Sequence, residues 1–395
     1  MPAQNAPAAA MSSAEILGRL VAFPTVSDRS NLALIDWVAD YLAGYRLATV
    51  KVPHEAGAKP SLLAPIGPAD TAALALPGHT DVVPVVDQPW TSDPFTLVER
   101  GDRLYGRGTT DMKGFIACAL AAVPKAVATP LKTPIHLVFS YDEEIGCLGV
   151  LPTVERLGFD LPKPLAVFVG EPTEMAVVDA HKSIFGFITE VTGHEAHSSK
   201  PHLGANAILA AAEIIGEIDR IAAEMRERGD PSGRFDPPYT TVHVGTIEGG
   251  TQLNIVPRHC RFHWEFRGLP DIDENEIAGR VKRFSEEKVL PRLKATCPEA
   301  RIETVLDNHV PLLAPDPGSI AERLAKRFAK ANHTDAVPFG TEAGHFQAAG
   351  VPTVVCGPGS INQAHAPDEF VEKAELARCD AFLARLVEAC RDGVA

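Results

Sequence analysis

Residues 72–84 read AALALPGHTDVVP. An apolar run of this length is short enough to be a buried strand, and it ends at His79, with Asp81 two residues further on. The same grammar recurs along the chain. IHLVFSYDEE (135–144) and LAVFVGE (165–171) are apolar runs that end in acids, and SLLAPI (61–66) and PTVVC (352–356) are further runs of strand length. Between them, 113–128 (KGFIACALAAVPKAVA) and 148–157 read as helices, with Pro124 predicting a break in the first. Strand–helix alternation predicts an α/β fold with a mostly parallel sheet flanked by helices.

Such a sheet binds ligands outside the carboxyl ends of its strands. That rule gives a common destination to five residues that stand at the ends of apolar runs or in the loops beside them. They are His79, Asp111 in LYGRGTTDMKG, Glu144 in LVFSYDEEIG, Glu171 in AVFVGEPTE and His365 in GPGSINQAHAPDEF. Imidazole nitrogens together with carboxylate oxygens are what a pair of zinc-like ions needs to hydrolyse an amide.

The flanking segments follow the same logic. Ser12-x-x-Glu15 is a capping box before ILGRLVAF, and Pro24 stops that helix. Leu34, Ile35, Val38, Tyr41 and Leu42 form a second helical stripe. The middle of the chain changes character. IFGFITEVTG (184–193) reads as a strand and 204–229 as a long helix. YTTVHVGTIEGG (239–250) and CRFHWEFRG (260–268) alternate with period two, and a charged helix at 273–290 precedes a strand near RIETVL (301–306). The order βαββαβ predicts an inserted ferredoxin-like domain. The expected division is a discontinuous catalytic domain, 1–182 and 309–395, interrupted by a lid and dimerisation domain, 183–308, which fits the two domains that 395 residues suggest.

Hydrophobic residues at 45% and charged residues at 22% describe a globular protein. The net charge of −14 argues against nucleic acid or an anionic membrane as partner. The seven cysteines are scattered with no C-x-x-C pair, which favours a reducing compartment. The Ala/Pro-rich start reads as a tail rather than a secretory signal, and no apolar run is long enough to span a membrane, so a cytoplasmic location is expected.

GHTDVVP, TTDMKG, DEEIG and GEPT, in this order and spacing, resemble the two-zinc aminoacylase and carboxypeptidase superfamily. Within it, WTSDPFTL, LYGRGTTDMKGF, AHKS, GHEAHSSKPHLGANAI and GPGSINQAHAPDEF resemble the N-acetylornithine deacetylases, over nearly the whole chain after residue 12. The resemblance implies two divalent ions, Zn2+ or alternatively Co2+, and a homodimer formed through the lid. The implied reaction removes acetate from N2-acetyl-L-ornithine to give L-ornithine for arginine biosynthesis. Desuccinylation of N-succinyl-diaminopimelate and general aminoacylase activity are the alternatives within the class. A metal-binding scaffold without catalysis is the alternative outside it.

By the same resemblance, His79 and Glu171 hold one ion, Glu144 and His365 the other, and Asp111 bridges them, followed by a cis peptide bond to Met112. Asp81 holds the second ring nitrogen of His79, and Glu143 is the general base that moves a proton from water to the leaving amine. His197, with His194 three residues earlier as the competing choice, donates to the oxyanion from the neighbouring subunit. Asn254 and Arg267 contact the substrate, and Glu342 receives an ammonium. Each residue also has a plainer reading. Asp111 can cap the helix that follows it, DEE can be a solvated acidic turn, and Arg267 can belong to an ordinary strand ion pair. Without metal, the gathered carboxylates would repel one another and some would protonate.

Overall fold

The computed structural model of the chain describes residues 10–53, 59–159 and 161–394. Most of the expected N-terminal tail, residues 1–9, lies outside them. The chain divides into two compact units. The first comprises Met1–Ala180, Leu313–Asp335 and Thr341–Ala395, and the second comprises His181–Leu312 with Ala336–Gly340.

The strands run in chain order as β1 (Val50–Pro53), β2 (Pro60–Ile66), β3 (Leu74–His79), β4 (Val98–Arg100), β5 (Arg103–Tyr105), β6 (Ile135–Ser140), β7 (Ala166–Pro172), β8 (Val178–His181), β9 (Ser183–Thr192), β10 (Thr241–Gly249), β11 (His259–Gly268), β12 (Arg301–Val310), β13 (Asp335–Val337), β14 (Thr353–Gly357) and β15 (Phe370–Glu372). The large sheet has the order β1-β2-β6-β3-β7-β14-β8-β13. Its centre is parallel: β6 pairs with β3, β3 with β7 and β7 with β14. All residues of β3, β6, β7 and β14 are buried, as expected for strands covered on both faces. The register pairs His79 with Ser140, so β3 and β6 end side by side.

The helix at 113–128 divides as Pro124 predicts, into Lys113–Ala121 and Val123–Ala128. The capping box at Ser12 and Glu15 is formed in both directions. The helix expected at 148–157 is shorter. A 3-10 turn, Leu148–Val150, is followed by Leu151–Val154 alone, because Leu157 leaves helical geometry to bridge Leu161. The sequence reading missed the long C-terminal helix, Lys373–Asp392, and a small sheet of order β15-β5-β4 whose strands are three residues each. Phe168, Phe328 and Phe382 meet in the core, with centroids 5.5–6.1 Å apart.

The second unit holds a four-stranded antiparallel sheet of order β10-β11-β9-β12. One face is aromatic: Phe185 stacks on Phe266 and Phe187 on Trp264. Asn206 caps the helix Ala207–Arg228, which buries Ala207, Ala210, Ala211, Ile214, Ile218, Ile221 and Met225 at helical spacing. The charged helix begins at Glu274 and continues past residue 290 to Thr296, through a π-helical segment, Ser285–Val289. Pro291, which has no amide N–H to donate to the regular ladder, comes one residue after that segment, beyond Leu290.

Candidate metal centre and active site

The parallel register carries the candidate ligands to one edge of the large sheet. His79 is the last residue of β3, Glu143 and Glu144 lie in the turn just beyond β6, and Glu171 stands near the end of β7. His365 comes from the loop after β14, and Asp111 from the loop before helix Lys113–Ala121. Two glycines allow these segments to approach one another. A Cβ on Gly170 would lie 1.9 Å from the Phe115 ring. One on Gly359, whose φ is +88°, would lie 1.9 Å from Oγ1 of Thr110.

Asp111 sits between the two histidines. Its Oδ1 is 3.0 Å from Nε2 of His79, and its Oδ2 is 3.2 Å from Nε2 of His365. On one side, Glu171 and Glu143 approach His79 Nε2 to 3.8 and 4.0 Å. On the other, Glu144 approaches His365 Nε2 to 3.0 Å. Two sets, His79–Glu143–Glu171 and His79–Asp111–Glu144, each offer ligand atoms within 4.8 Å of one another. The neighbouring glutamates diverge as expected, but from a turn rather than a regular strand. The Asp111–Met112 peptide bond is cis.

Asp81 meets the His79 ring through its backbone as well as its side chain. The 3.0 Å contact of His79 Nδ1 is with the backbone carbonyl of Asp81, and the carboxylate stands at 3.5 Å. The carboxylate is engaged on its other side too. It accepts from the Ser27 hydroxyl at 2.7 Å and from the amides of Glu143 and Glu144 at 3.2 and 3.4 Å. Asp81 therefore holds the turn that carries both glutamates as well as the imidazole beside it.

The electrostatics describe an acidic cluster that the protein does not neutralise. Burial raises the Glu143 pKa, with Glu144 and Asp111 adding like charge against the opposing His79. Burial and the charge of Asp111 push Glu144 up to about 7. Glu171 is raised by burial, against His79 and with Glu143 and Asp111 adding to it, and its Oε1 has no hydrogen-bond partner. Burial would lower the His79 pKa, but the bonds to Asp111 and Asp81 and the nearby acids outweigh it. Bonds to Asp111 and Glu144 lift His365 to about 10. Burial would raise the Asp111 pKa, but the two histidines hold it low. Carboxylates forced together in this way, one oxygen left unpartnered, fit cations: oxygen and imidazole donors suit zinc-class ions.

Glu342 lies at the start of helix Ala343–Ala348 and is 1% exposed, with no well-formed hydrogen bond to either carboxylate oxygen among the described residues. Burial raises its pKa to about 7. In the second unit, His197 bridges Ile255 and the Ser198 amide donates to the Asn254 carbonyl at 3.0 Å, which brings His197 and Asn254 onto neighbouring segments. His197 bonds Ser199 at 2.7 Å, and His194 bridges Ala205. Arg267 makes the plainer strand contact, its Nε donating to Glu265 at 3.1 Å.

The family model described as peptidase family M20/M25/M40 matches residues 75–389. The chain belongs to this family. M20 enzymes depend on a dinuclear metal centre, and this chain hydrolyses amide bonds as a member of the family. The M20 chain is 38% identical over 381 residues to an acetylornithine deacetylase from Myxococcus xanthus, covering 94% of this chain and 95% of the relative. An M20 metallo-carboxypeptidase from Sulfolobus solfataricus superposes with a TM-score of 0.74 at 18% identity, covering 97% of this chain and 100% of the other. A dinuclear metal binding peptidase of the M20 family from Bacillus subtilis superposes with a TM-score of 0.68 at 16% identity, covering 97% and 98% of the two chains. These two likenesses establish the shared fold.

Sequence reasoning missed the residues that hold the M20 loops together, Glu369, Arg107 and Gln88. Glu369 and Arg107 are 262 positions apart and 2.8 Å apart in space. No periodicity joins them. Their only local signals are an acid and a cation beside candidate ligands. Among the described residues, no helix is long and apolar enough to cross a membrane.

Proposed function

We propose that the protein is a cytoplasmic, homodimeric, dinuclear metalloenzyme that removes acetate from N2-acetyl-L-ornithine, giving the L-ornithine that arginine biosynthesis requires. The observation that carries the reading is the 38% identity, over 94% of this chain, to a relative described as an acetylornithine deacetylase. In this reading, His79 and Glu171 hold one divalent ion, Glu144 and His365 the other, and Asp111 bridges them. Zn2+ is the favoured ion and Co2+ an alternative. When bound, such a pair polarises the acyl carbonyl and lowers the pKa of water.

The chain's own residues perform the remaining work. Glu143, mostly buried and raised in pKa beside His79, takes a proton from the attacking water and delivers it to the leaving amine. Asp81 keeps the Glu143 turn in place through the bond to the Glu143 amide. His197 of the second unit donates to the developing oxyanion across the dimer. Pairing through that unit is supported by the edge strand β10, where Ile247 is 51% exposed. Arg267 takes the α-carboxylate, Asn254 contacts the substrate, and Glu342 takes the side-chain ammonium. An unpartnered buried carboxylate is suited to an incoming cation, because an apolar side chain leaves it uncompensated.

Steady-state comparison of N-acetylornithine, N-acetylleucine and N-succinyl-diaminopimelate on the metal-reconstituted enzyme tests the substrate. N-acetylornithine is expected to exceed N-acetylleucine in kcat/KM by more than about tenfold, since charged-group recognition rejects ligands lacking the group. Equal rates on the two acetyl substrates, or a preference for the succinyl one, would refute the acetylornithine reading and leave family membership standing.

A further inference from the structure

Glu369 follows His365 by four residues, is 1% exposed and is surrounded by donors. Its Oε1 accepts the amides of Thr110 at 2.9 Å and Asp111 at 3.1 Å. Its Oε2 accepts the Gly108 amide at 2.9 Å and Nη1 of Arg107 at 2.8 Å. One carboxylate therefore gathers three consecutive-turn amides of the loop that presents Asp111, and its own backbone carbonyl accepts the Gly106 amide at 2.9 Å.

The opposite loop is tied to the same group. Arg107 Nη1 also reaches the Ala366 carbonyl at 3.3 Å, and its Nη2 donates to Oε1 of Gln88 at 2.6 Å. Gln88 Nε2 in turn donates to the carbonyl of His365 at 2.9 Å. Trp90 covers the assembly, its ring 5.0 Å from the guanidinium and its Nε1 bonded to Gln88 Oε1 at 3.1 Å. The Asp111 and His365 loops, from chain segments more than two hundred residues apart, thus share one buried ion pair.

We propose that Glu369, with Arg107 and Gln88 transmitting its hold, is the positioning residue that sets the distance between Asp111 and His365 and so the geometry of the metal pair. The inference rests on the assignment of those two residues as ligands. Glu369 touches neither substrate nor ion in this account. It acts by fixing the backbone on which Asp111 stands, because a carboxylate that accepts several amides leaves the loop one conformation. Pre-setting two ligands in this way lets the ions bind without ordering a loop at the same moment.

Full-length protein, stripped with a chelator and titrated with Co2+ by calorimetry and visible absorption, provides the test. Wild type is expected to take up two ions. Glu369→Gln places an amide NH2 against backbone donors and should weaken at least one ion more than about tenfold, with an altered Co2+ absorption band. Gln88→Ala, a milder change at a partly exposed residue, should weaken one ion by about threefold or more. Leu386→Ala, in the core of the C-terminal helix, is the control for stability: it should lower the melting temperature yet bind both ions as wild type does. Wild-type titrations and spectra for both Glu369→Gln and Gln88→Ala would overturn the proposal. Should Glu369→Gln fail to fold, Gln88→Ala decides alone, and wild-type behaviour there overturns it. A wild-type protein that binds no ion pair instead refutes the ligand assignment beneath it.

Discussion

Replacing Glu342 by glutamine should make the metal-free protein more stable at alkaline pH while impairing its use of N-acetylornithine. The carboxyl is 1% exposed, has no well-formed hydrogen bond among the described residues, and has its pKa raised from 4.5 to about 7 by burial, against the weaker opposing pull of the Ser140 hydroxyl and the His79 charge. Below pH 4.5 it is protonated in folded and unfolded chains alike and costs nothing. Between 4.5 and about 7 the folded chain keeps a proton that the unfolded chain releases, so stability falls as pH rises. Above 7 the full penalty applies. A shift of this size corresponds to about 3 kcal/mol at 1.36 kcal/mol per unit, and most of it, about 2–3 kcal/mol, accrues between pH 5 and pH 8. The buried glutamine amide has its own desolvation cost of about 1–3 kcal/mol, but that cost does not vary with pH. The decisive quantity is therefore the change between the two pH values. Urea unfolding of chelator-treated wild type and Glu342→Gln at pH 5 and pH 8 measures it, including the smaller share by which the Glu342 charge raises Glu171. Wild type should lose about 2–3 kcal/mol more than the variant over that interval. An identical pH dependence in the two proteins would refute the argument that Glu342 is a buried charge whose burial outweighs its compensation by Ser140 and His79.

Glu143→Ala should lose activity by at least about a hundredfold, the usual scale for a general base, and keep both ions, whereas Glu144→Ala should lose metal. Equal metal content in the two variants, measured by elemental analysis, would contradict that division. Mixing inactive Glu143→Ala with inactive His197→Ala chains should restore activity through heterodimers with one complete site. No recovery after verified subunit exchange would place the oxyanion donor in the same chain or at another residue. Arg267→Ala is expected to raise KM for N-acetylornithine far more than it lowers kcat, and a pure kcat effect would remove it from substrate capture. Gly170→Ala should abolish soluble expression, because its Cβ would overlap the Phe115 ring at 1.9 Å, and a well-folded variant would show that β7 can move.

Local pattern was enough for β2, β3, β6, β7 and β14 of the large sheet, though not for its short strands β1, β8 and β13, and for the βαββαβ order of the second unit. Both are written in periodicities of two and of about 3.6 residues and in the lengths of apolar runs, which depend only on near neighbours along the chain. Pro124 and the Ser12–Glu15 box were legible for the same reason, since each acts on amides within a turn of itself. The three-residue strands of the small sheet were not, because β5 pairs with β15 from the far end of the chain and neither has a pattern long enough to read. The candidate ligands were legible as types and spacings, through motifs that resemble a family. Their convergence, Asp111 within 3.0 Å of one histidine and 3.2 Å of another, depends on a parallel register joining segments far apart along the chain. The added contact of His79 with the Asp81 carbonyl, and the grip of Glu369 on the Asp111 loop, were decided only in three dimensions. Hydrogen bonds of that kind are chosen by competition among donors and acceptors that only tertiary packing brings within reach.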